Sequence, residues 1–152
     1  MSDHSYQAHS SSAASTHRRE RFHELHGVPT LVVDDDAVCT EQLRELLADL
    51  GCDASFTRCS EEAMATLWSF KPTLVILDLV LPTMCGLLLA QKLRAAPATR
   101  GAVIVALSSL SKAQTEHTAR AVGCNACIQK PIDTRTFPEL FMRIVAEGWR
   151  TR

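Results

Sequence analysis

Leu74-Val75-Ile76-Leu77-Asp78-Leu79-Val80-Leu81-Pro82-Thr83-Met84-Cys85-Gly86 is the stretch on which the reading of the fold turns. Four large apolar residues in a row, two of them β-branched, run into a carboxylate. A strand with one wet face would alternate apolar with polar residues, whereas a strand covered on both faces reads as one apolar run. Residues 74–77 are therefore expected to form a buried strand of a parallel sheet, with Asp78 at its carboxyl end. Residues 79–85, punctuated by Pro82, read as a loop, and residues 86–95 as a helix.

The same alternation recurs on both sides. Residues 30–33 are a short β-branched run that ends in Asp34, Asp35 and Asp36. Residues 37–50 carry Val38, Leu43, Leu46, Leu47 and Leu50 at helical spacing, and Gly51 stops them. Residues 52–58 read as a second strand. Ser60 is expected to cap a helix reaching about Phe70, with Glu61 and Glu62 favourable in its first turn and Pro72 closing it. Residues 102–107 form a fourth strand, 112–122 a helix with a weak apolar face stopped by Gly123, and 126–129 a short fifth strand. Residues 134–147 complete the pattern as a helix with Phe137, Leu140, Phe141, Ile144 and Val145 on its core side. Five strands alternating with five helices imply βαβ units. Right-handed crossovers put helices on both faces. The expected fold is α/β, an open, doubly wound, five-stranded parallel sheet flanked by five helices.

At 152 residues the chain has room for one domain. Residues 28–149 are assigned to it and residues 1–27 to a tail. Residues 1–16, rich in Ser, Ala and His, offer too little apolar surface to offset the entropy of ordering and are expected to be flexible. Residues 17–26 read as a short helical turn stopped by Gly27 and Pro29. Arg18, Arg19 and Arg21 make it either a solvated lead-in or a docking element. Sixteen basic side chains against 17 acidic ones leave a net charge of -1, which argues against direct nucleic-acid binding. No run approaches the roughly 20 apolar residues of a membrane span, and the N-terminus lacks a signal-peptide pattern. The expected location is the cytoplasm, where the six cysteines stay reduced. Cys124 and Cys127 form a C-x-x-C without a second pair, and only His117 lies nearby. Two cysteines around a strand start is the simpler reading than a zinc or redox site.

Ligands of such sheets sit beyond the carboxyl ends of the strands. Those ends here deliver Asp34, Asp35 and Asp36, then Asp78, then Ser108 and Ser109, then Lys130 before Pro131. Crowded carboxylates repel unless a cation sits among them. Oxygen ligands with open positions suit Mg²⁺, Lys130 adds fixed positive charge, and a carboxylate such as Asp78 can carry covalent phosphate. Asp36 reads differently, as the cap of the first helix.

The runs Leu31-Val32-Val33-Asp34-Asp35-Asp36, Val75 to Gly86, Leu107-Ser108-Ser109 and Gln129-Lys130-Pro131, in this order, resemble the receiver domains of two-component response regulators, over about residues 28–147. The resemblance implies that Asp78 is the phosphoacceptor, charged from a phosphohistidine on a sensor histidine kinase or a histidine phosphotransfer protein. It implies that Asp35, Asp78 and the backbone carbonyl of Val80 hold Mg²⁺ directly, and Asp34 mainly through water. Ser108 matches the hydroxyl that bonds a phosphoryl oxygen, and Lys130 the lysine that pairs with it, in a Lys-Pro peptide that is cis in the family. Only five residues follow Glu147, so the expected protein is a stand-alone receiver. It would signal by phosphorylation-dependent binding of a target protein, with a homodimer among the forms this could take, or as a phosphorelay intermediate. It would not be an enzyme beyond catalysing its own phosphorylation and dephosphorylation.

Three positions depart from the family pattern. Cys127 stands where receivers commonly carry an aromatic residue, which puts the usual output coupling in doubt and keeps a phosphorylation-independent scaffold or adaptor as the alternative. Val80 and Leu110, two residues beyond Asp78 and Ser108, are apolar at positions that affect access of the hydrolytic water in the family. A slowly decaying aspartyl phosphate is expected. Val80 also argues against a phosphatase of the haloacid dehalogenase type, which needs an Asp there. Three acids after the first strand argue against a flavodoxin, whose phosphate loop is hydroxyl- and glycine-rich.

Overall fold

The computed structural model describes residues 23–82 and 84–151. Residues 1–22 of the expected tail, Arg18, Arg19 and Arg21 among them, lie outside these, as does Thr83; residues 23–27, also assigned to the tail, are described and bury Leu25 in the core. A single 3₁₀ turn, His23–Leu25, leads into the sheet, and Gly27, at φ 72°, ends it as expected. The five strands are β1 (Pro29–Val33), β2 (Asp53–Thr57), β3 (Leu74–Asp78), β4 (Val103–Ser108) and β5 (Ala126–Gln129). They alternate with the helices α1 (Ala37–Asp49), α2 (Ser60–Thr66), α3 (Gly86–Ala95), α4 (Lys112–Ala121) and α5 (Phe137–Arg150). All pairings are parallel, in the order β2-β1-β3-β4-β5. This is the five-stranded doubly wound sheet that the sequence pattern implies.

Two apolar layers hold it together. Val32, Ile76, Val105 and Leu107 face Leu43 and Leu47 of α1 and Phe137, Phe141 and Val145 of α5. Leu31, Val33, Val75, Leu77, Ile104 and Ala106 face Ala63 of α2, Leu89 and Leu93 of α3, and Ala119 of α4. Successive residues of a strand point to opposite faces, so a central strand covered on both sides must be apolar throughout, and every residue of β3 is buried. Phe137 and Phe141, one helical turn apart, stack with ring centroids 5.2 Å from each other.

Several boundaries differ from the sequence expectation for local reasons. Cys59, not Ser60, occupies the cap of α2, and it makes no side-chain capping bond. Glu62 instead reaches back to accept the Arg58 N–H at 3.0 Å, and the Ser60 hydroxyl donates to Glu61. The α-helix stops at Thr66, in looser turns before Pro72. Helix α5 starts at Phe137 rather than 134, because Asp133 first closes a turn: its carboxylate accepts the Arg135 N–H and its carbonyl the Phe137 N–H. It continues to Arg150 because Gly148 lets it lie on β4; a Cβ there would come within 2.6 Å of Val103 Cγ2.

Helices α1 and α4 end alike. Gly51 (φ 78°) and Gly123 (φ 104°) take the left-handed conformation. Their N–H groups bond Ala48 and Arg120, and those of the following Cys52 and Cys124 bond Leu47 and Ala119. That is the paired bonding of a Schellman motif, whose second residue past the cap packs into the core. Cys52 and Cys124 fill that place. All six cysteines are unbridged thiols.

Gly86 opens α3 directly under the end of β3. A Cβ there would stand 2.2 Å from the Asp78 carbonyl oxygen and 2.6 Å from Leu79 Cα, both backbone atoms that cannot swing aside. Gly86→Ala is expected to lower stability by about 1–3 kcal/mol through overpacking, despite the better helix propensity of alanine, worth about 1 kcal/mol. Gly101, around which nothing lies within 4 Å of a Cβ, provides the control: Gly101→Ala should stay within about 0.5 kcal/mol of the parent. Urea unfolding of both variants checks the contrast.

Candidate functional site

The strand order reverses between β1 and β3, and crevices at such points are where open α/β sheets bind ligands. Val33 pairs with Leu77 and Asp78 with Leu107, so Asp34 and Asp78 project side by side from the carboxyl rim. Carboxylate oxygens of Asp34, Asp35 and Asp78 all lie within 4.8 Å of one another. Asp34 and Asp78 are buried, at 1% and 7% exposure, and Asp35 is open to solvent.

Each acid is fixed differently. Asp34 is anchored by its backbone: its N–H donates to the Thr57 carbonyl, and its carbonyl accepts from the Thr40 hydroxyl at 3.4 Å. Its Oδ1 accepts the Asp36 N–H at 2.9 Å. Asp36 caps α1, as its position suggests, with Oδ1 accepting the N–H groups of Val38 and Cys39. Asp78 Oδ1 accepts the Val80 N–H at 2.8 Å, and Oδ2 accepts from Lys130 Nζ at 2.7 Å.

Lys130 comes from β5, two strand spacings away, about 9–10 Å. Its chain passes over the end of β4, where the small residue Ser108 sits. The Ser108 carbonyl accepts the Lys130 N–H at 2.7 Å, and the Lys130–Pro131 peptide is cis. Nζ lies 2.9 Å from Asp34 Oδ2 and 3.7 Å from Asp36 Oδ2. The Asp34 contact is a charge contact outside hydrogen-bonding angles, so this fully buried oxygen has no hydrogen-bond donor.

The protonation states follow from this crowding. Burial raises the pKa of Asp78, and the Asp34 charge adds to it, against the hydrogen bonds from Lys130 and Val80. Burial lowers the Lys130 pKa, but its close contacts with Asp78 and Asp34 outweigh this and hold the ammonium above the ordinary lysine range. The Cys39 thiol, buried in the first turn of α1, is pushed up to about 12, first by burial and then by Asp34, so it stays protonated.

One lysine faces three carboxylates, and one buried carboxylate oxygen lacks a donor. Oxygen-only donors with charge still to be balanced suit a hard divalent cation, so the residues present fit a metal such as Mg²⁺.

The structure thus brings together Asp34, Asp35, Asp78 and Lys130. Ser108, buried at 1% exposure, stands on the same rim, but its Oγ accepts the Leu110 N–H at 3.0 Å and is not bonded to Asp78. Val80 contributes its N–H to Asp78, and it pairs with Cys85 in an isolated antiparallel bridge. Sequence reasoning missed Cys39 against Asp34, the contact of Asp36 with Lys130, and the fit of Gly86 beneath Asp78. Cys39 was accessible in principle, standing one turn after the capping Asp36. The others depend on contacts far apart in the chain.

Among known proteins, the response regulator receiver domain model matches residues 30–141. The chain is 28% identical over 109 residues to the polar-differentiation response regulator DivK of Brucella anthropi, covering 72% of this chain and 89% of that protein, and matches DivK of Brucella ovis equally. Among solved structures, a CheY-like receiver domain protein from Methanospirillum hungatei aligns with TM-score 0.73 at 21% identity, over 83% of this chain and 99% of its own. A putative response regulator from Chloroflexus aurantiacus aligns with TM-score 0.71 at 25% identity, over 78% and 98%. Sheet order, acidic rim, bridging lysine and a family match across more than half of the chain lead to one assignment: this protein belongs to the response regulator receiver domain family.

Proposed function

We propose that the protein accepts a phosphoryl group from a phosphohistidine onto Asp78, in a Mg²⁺-dependent reaction, and signals in the phosphorylated form by binding a target protein or by relaying the phosphate. The observation that carries this reading is the buried Asp78–Lys130 contact of 2.7 Å within the acidic rim. The donor is a sensor histidine kinase or a histidine phosphotransfer protein in the cytoplasm. The likeness to DivK response regulators supports the assignment.

In the transfer, an Asp78 carboxylate oxygen forms the new O–P bond as the P–N bond of the phosphohistidine breaks. The electron pair stays on the imidazole, which takes up a proton. Phosphoryl transfer asks a protein mainly for positioning and charge compensation. Asp78 is held from both ends, by the Val80 N–H and the Lys130 ammonium. Lys130 stands where it can pair with a phosphoryl oxygen, and the Ser108 hydroxyl can donate to another once it turns from Leu110. Asp34, Asp35, Asp78 and the Val80 carbonyl would hold Mg²⁺, which supplies positive charge against the carboxylates and the phosphoryl oxygens.

Incubating the pure protein with Mg²⁺ and acetyl phosphate should add the mass of one phosphoryl group, and Asp78→Asn or removal of Mg²⁺ should abolish the gain. No gain from acetyl phosphate or from phosphohistidine donors would overturn this reading in favour of a phosphorylation-independent adaptor. Val80 and Leu110, 68% and 54% exposed beside the rim, offer no polar group to orient an attacking water. The aspartyl phosphate should therefore decay slowly; a lifetime of only seconds after donor removal would contradict this.

Lys130 also carries stability. Removing one partner of a buried ion pair costs about 3–5 kcal/mol, and the Lys130 side chain is only 10% exposed. Lys130→Ala should lose about 3 kcal/mol in metal-free buffer at pH 7, and Mg²⁺ should restore part of it. A lysine raised in the folded state contributes fully below its unfolded pKa of about 10.4 and loses that contribution only as the pH rises through the higher folded value. The variant instead leaves Asp78, already raised by burial, without its cation. Its stability should climb as the pH is lowered, because protonation then removes the uncompensated charge. Urea midpoints from pH 5 to 8 read both effects.

A further inference from the structure

We infer that Asp36 is a positioning residue for Lys130: its carboxylate holds the ammonium toward the β1 side of the rim and competes for it with the anion that Asp78 carries. The inference rests on the proposed phosphorylation of Asp78 and gives a part in it to an acid outside the set that fits a metal.

Asp36 does more than cap α1. Its N–H donates to Asp34 Oδ1 at 2.9 Å. Its own Oδ1 accepts the N–H groups of Val38 and Cys39 at 3.0 and 3.4 Å. These bonds fix the carboxylate and leave its second oxygen, Oδ2, 3.7 Å from Lys130 Nζ. Asp36 stands outside the group formed by the oxygens of Asp34, Asp35 and Asp78, so its charge is not one that a cation among those three would take up directly.

Surface ion pairs are usually worth little, partly because two mobile side chains must be ordered to form them. Here both are ordered for other reasons, Asp36 by its capping bonds and Lys130 by burial to 10% exposure. An ammonium has three N–H donors. One is directed at Asp78 Oδ2, at 2.7 Å. The Asp34 Oδ2 contact of 2.9 Å lies outside hydrogen-bonding angles, and Asp36 Oδ2 lies beyond hydrogen-bonding distance. The acids that follow β1 therefore hold Lys130 by charge and not by a directed bond, and this hold persists when the Asp78 oxygen changes its chemistry.

A phosphoryl group on Asp78 offers Lys130 new anionic oxygens. The ammonium pairs with them only against the pull of Asp34 and Asp36. Asp34 belongs to the metal-fitting group and would give up part of its pull to a cation; Asp36 would keep its own. Its carboxylate thus weakens the pairing of Lys130 with the phosphoryl group.

Asp36→Asn isolates the charge, because asparagine caps helices as well as aspartate does. With Mg²⁺ saturating, beryllofluoride, a stand-in for the phosphoryl group, should bind the variant about threefold to tenfold more tightly, the size of one charge contact at this distance in a largely aqueous setting. Fluorine NMR reads this, and the gain should shrink in about 1 M NaCl. Mg²⁺ alone, read by calorimetry, should bind about twofold to fourfold more weakly. A merely structural role for Asp36 would weaken both, and that result, or an unchanged beryllofluoride affinity, overturns the competition. A double-mutant cycle with Lys130→Met, read by urea unfolding without metal, tests the contact itself. Asp36→Asn should change the folding equilibrium about threefold to tenfold more favourably in the Lys130→Met background than in the parent; equal changes in both backgrounds refute the positioning role. If the parent protein gains no phosphoryl group from acetyl phosphate and binds no beryllofluoride, the reading of Asp78 fails, and the cycle alone decides whether Asp36 positions Lys130.

Discussion

The burial of like charges at the end of a parallel sheet is the constraint on which the rest of this structure depends. Asp34 and Asp78 project from adjacent strands into a crevice nearly closed to water. Two carboxylates so placed cannot both stay ionised without a cation. Lys130 supplies it from two strands away, its backbone tied to the end of the intervening strand by the bond from its N–H to the Ser108 carbonyl. The parallel register that aligns four strand ends on one rim is thus also what makes the site electrostatically tolerable. Burial raises the pKa of Asp78, and the same burial strengthens the hold of the carboxylates on Lys130.

The fold was legible because its decisive signals are local. Apolar runs of three to six residues stop abruptly at Asp34, Asp78 and Ser108, and a run of three closed by Gln129 precedes Lys130; covered strands account for such runs. Helix ends were legible where glycine at positive φ is the only cheap solution, at Gly51 and Gly123. They were misread where two local bonds compete: Glu62 rather than Ser60 serves the start of α2, and Asp133 holds a turn that delays α5. At the rim the residue types were legible and their orientations were not. Nothing near Ser108 in the chain shows that its hydroxyl faces Leu110, and nothing near Gly86 shows that the Asp78 carbonyl leaves no room for a Cβ.

The cysteines show the same division. A C-x-x-C invites a metal or redox reading, but Cys124 has a structural duty that it shares with Cys52. Each follows the glycine that ends a helix and packs its thiol as the small apolar residue of that motif. Cys39 is buried against Asp34 and kept protonated by burial and by that charge. Cys127, half-buried like Cys52, lies with its Sγ 3.5 Å from the Thr115 hydroxyl.

A site of this kind works against the stability of the domain that holds it, and the compensation lies outside the site. Two apolar layers and two glycine-terminated helices stabilise a framework whose rim carries unbalanced charge and a buried carboxylate oxygen without a donor. The same imbalance would let the rim respond to the proposed phosphorylation. Lys130 is shared among Asp34, Asp36 and Asp78, so any new anion bound to Asp78 competes with carboxylates already present. The free energy of the response is then the difference between two pairings of one ammonium, which can be small although each pairing is strong. A small difference is what a reversible signal requires, since a ligand can shift an equilibrium only by its differential interaction with the two states.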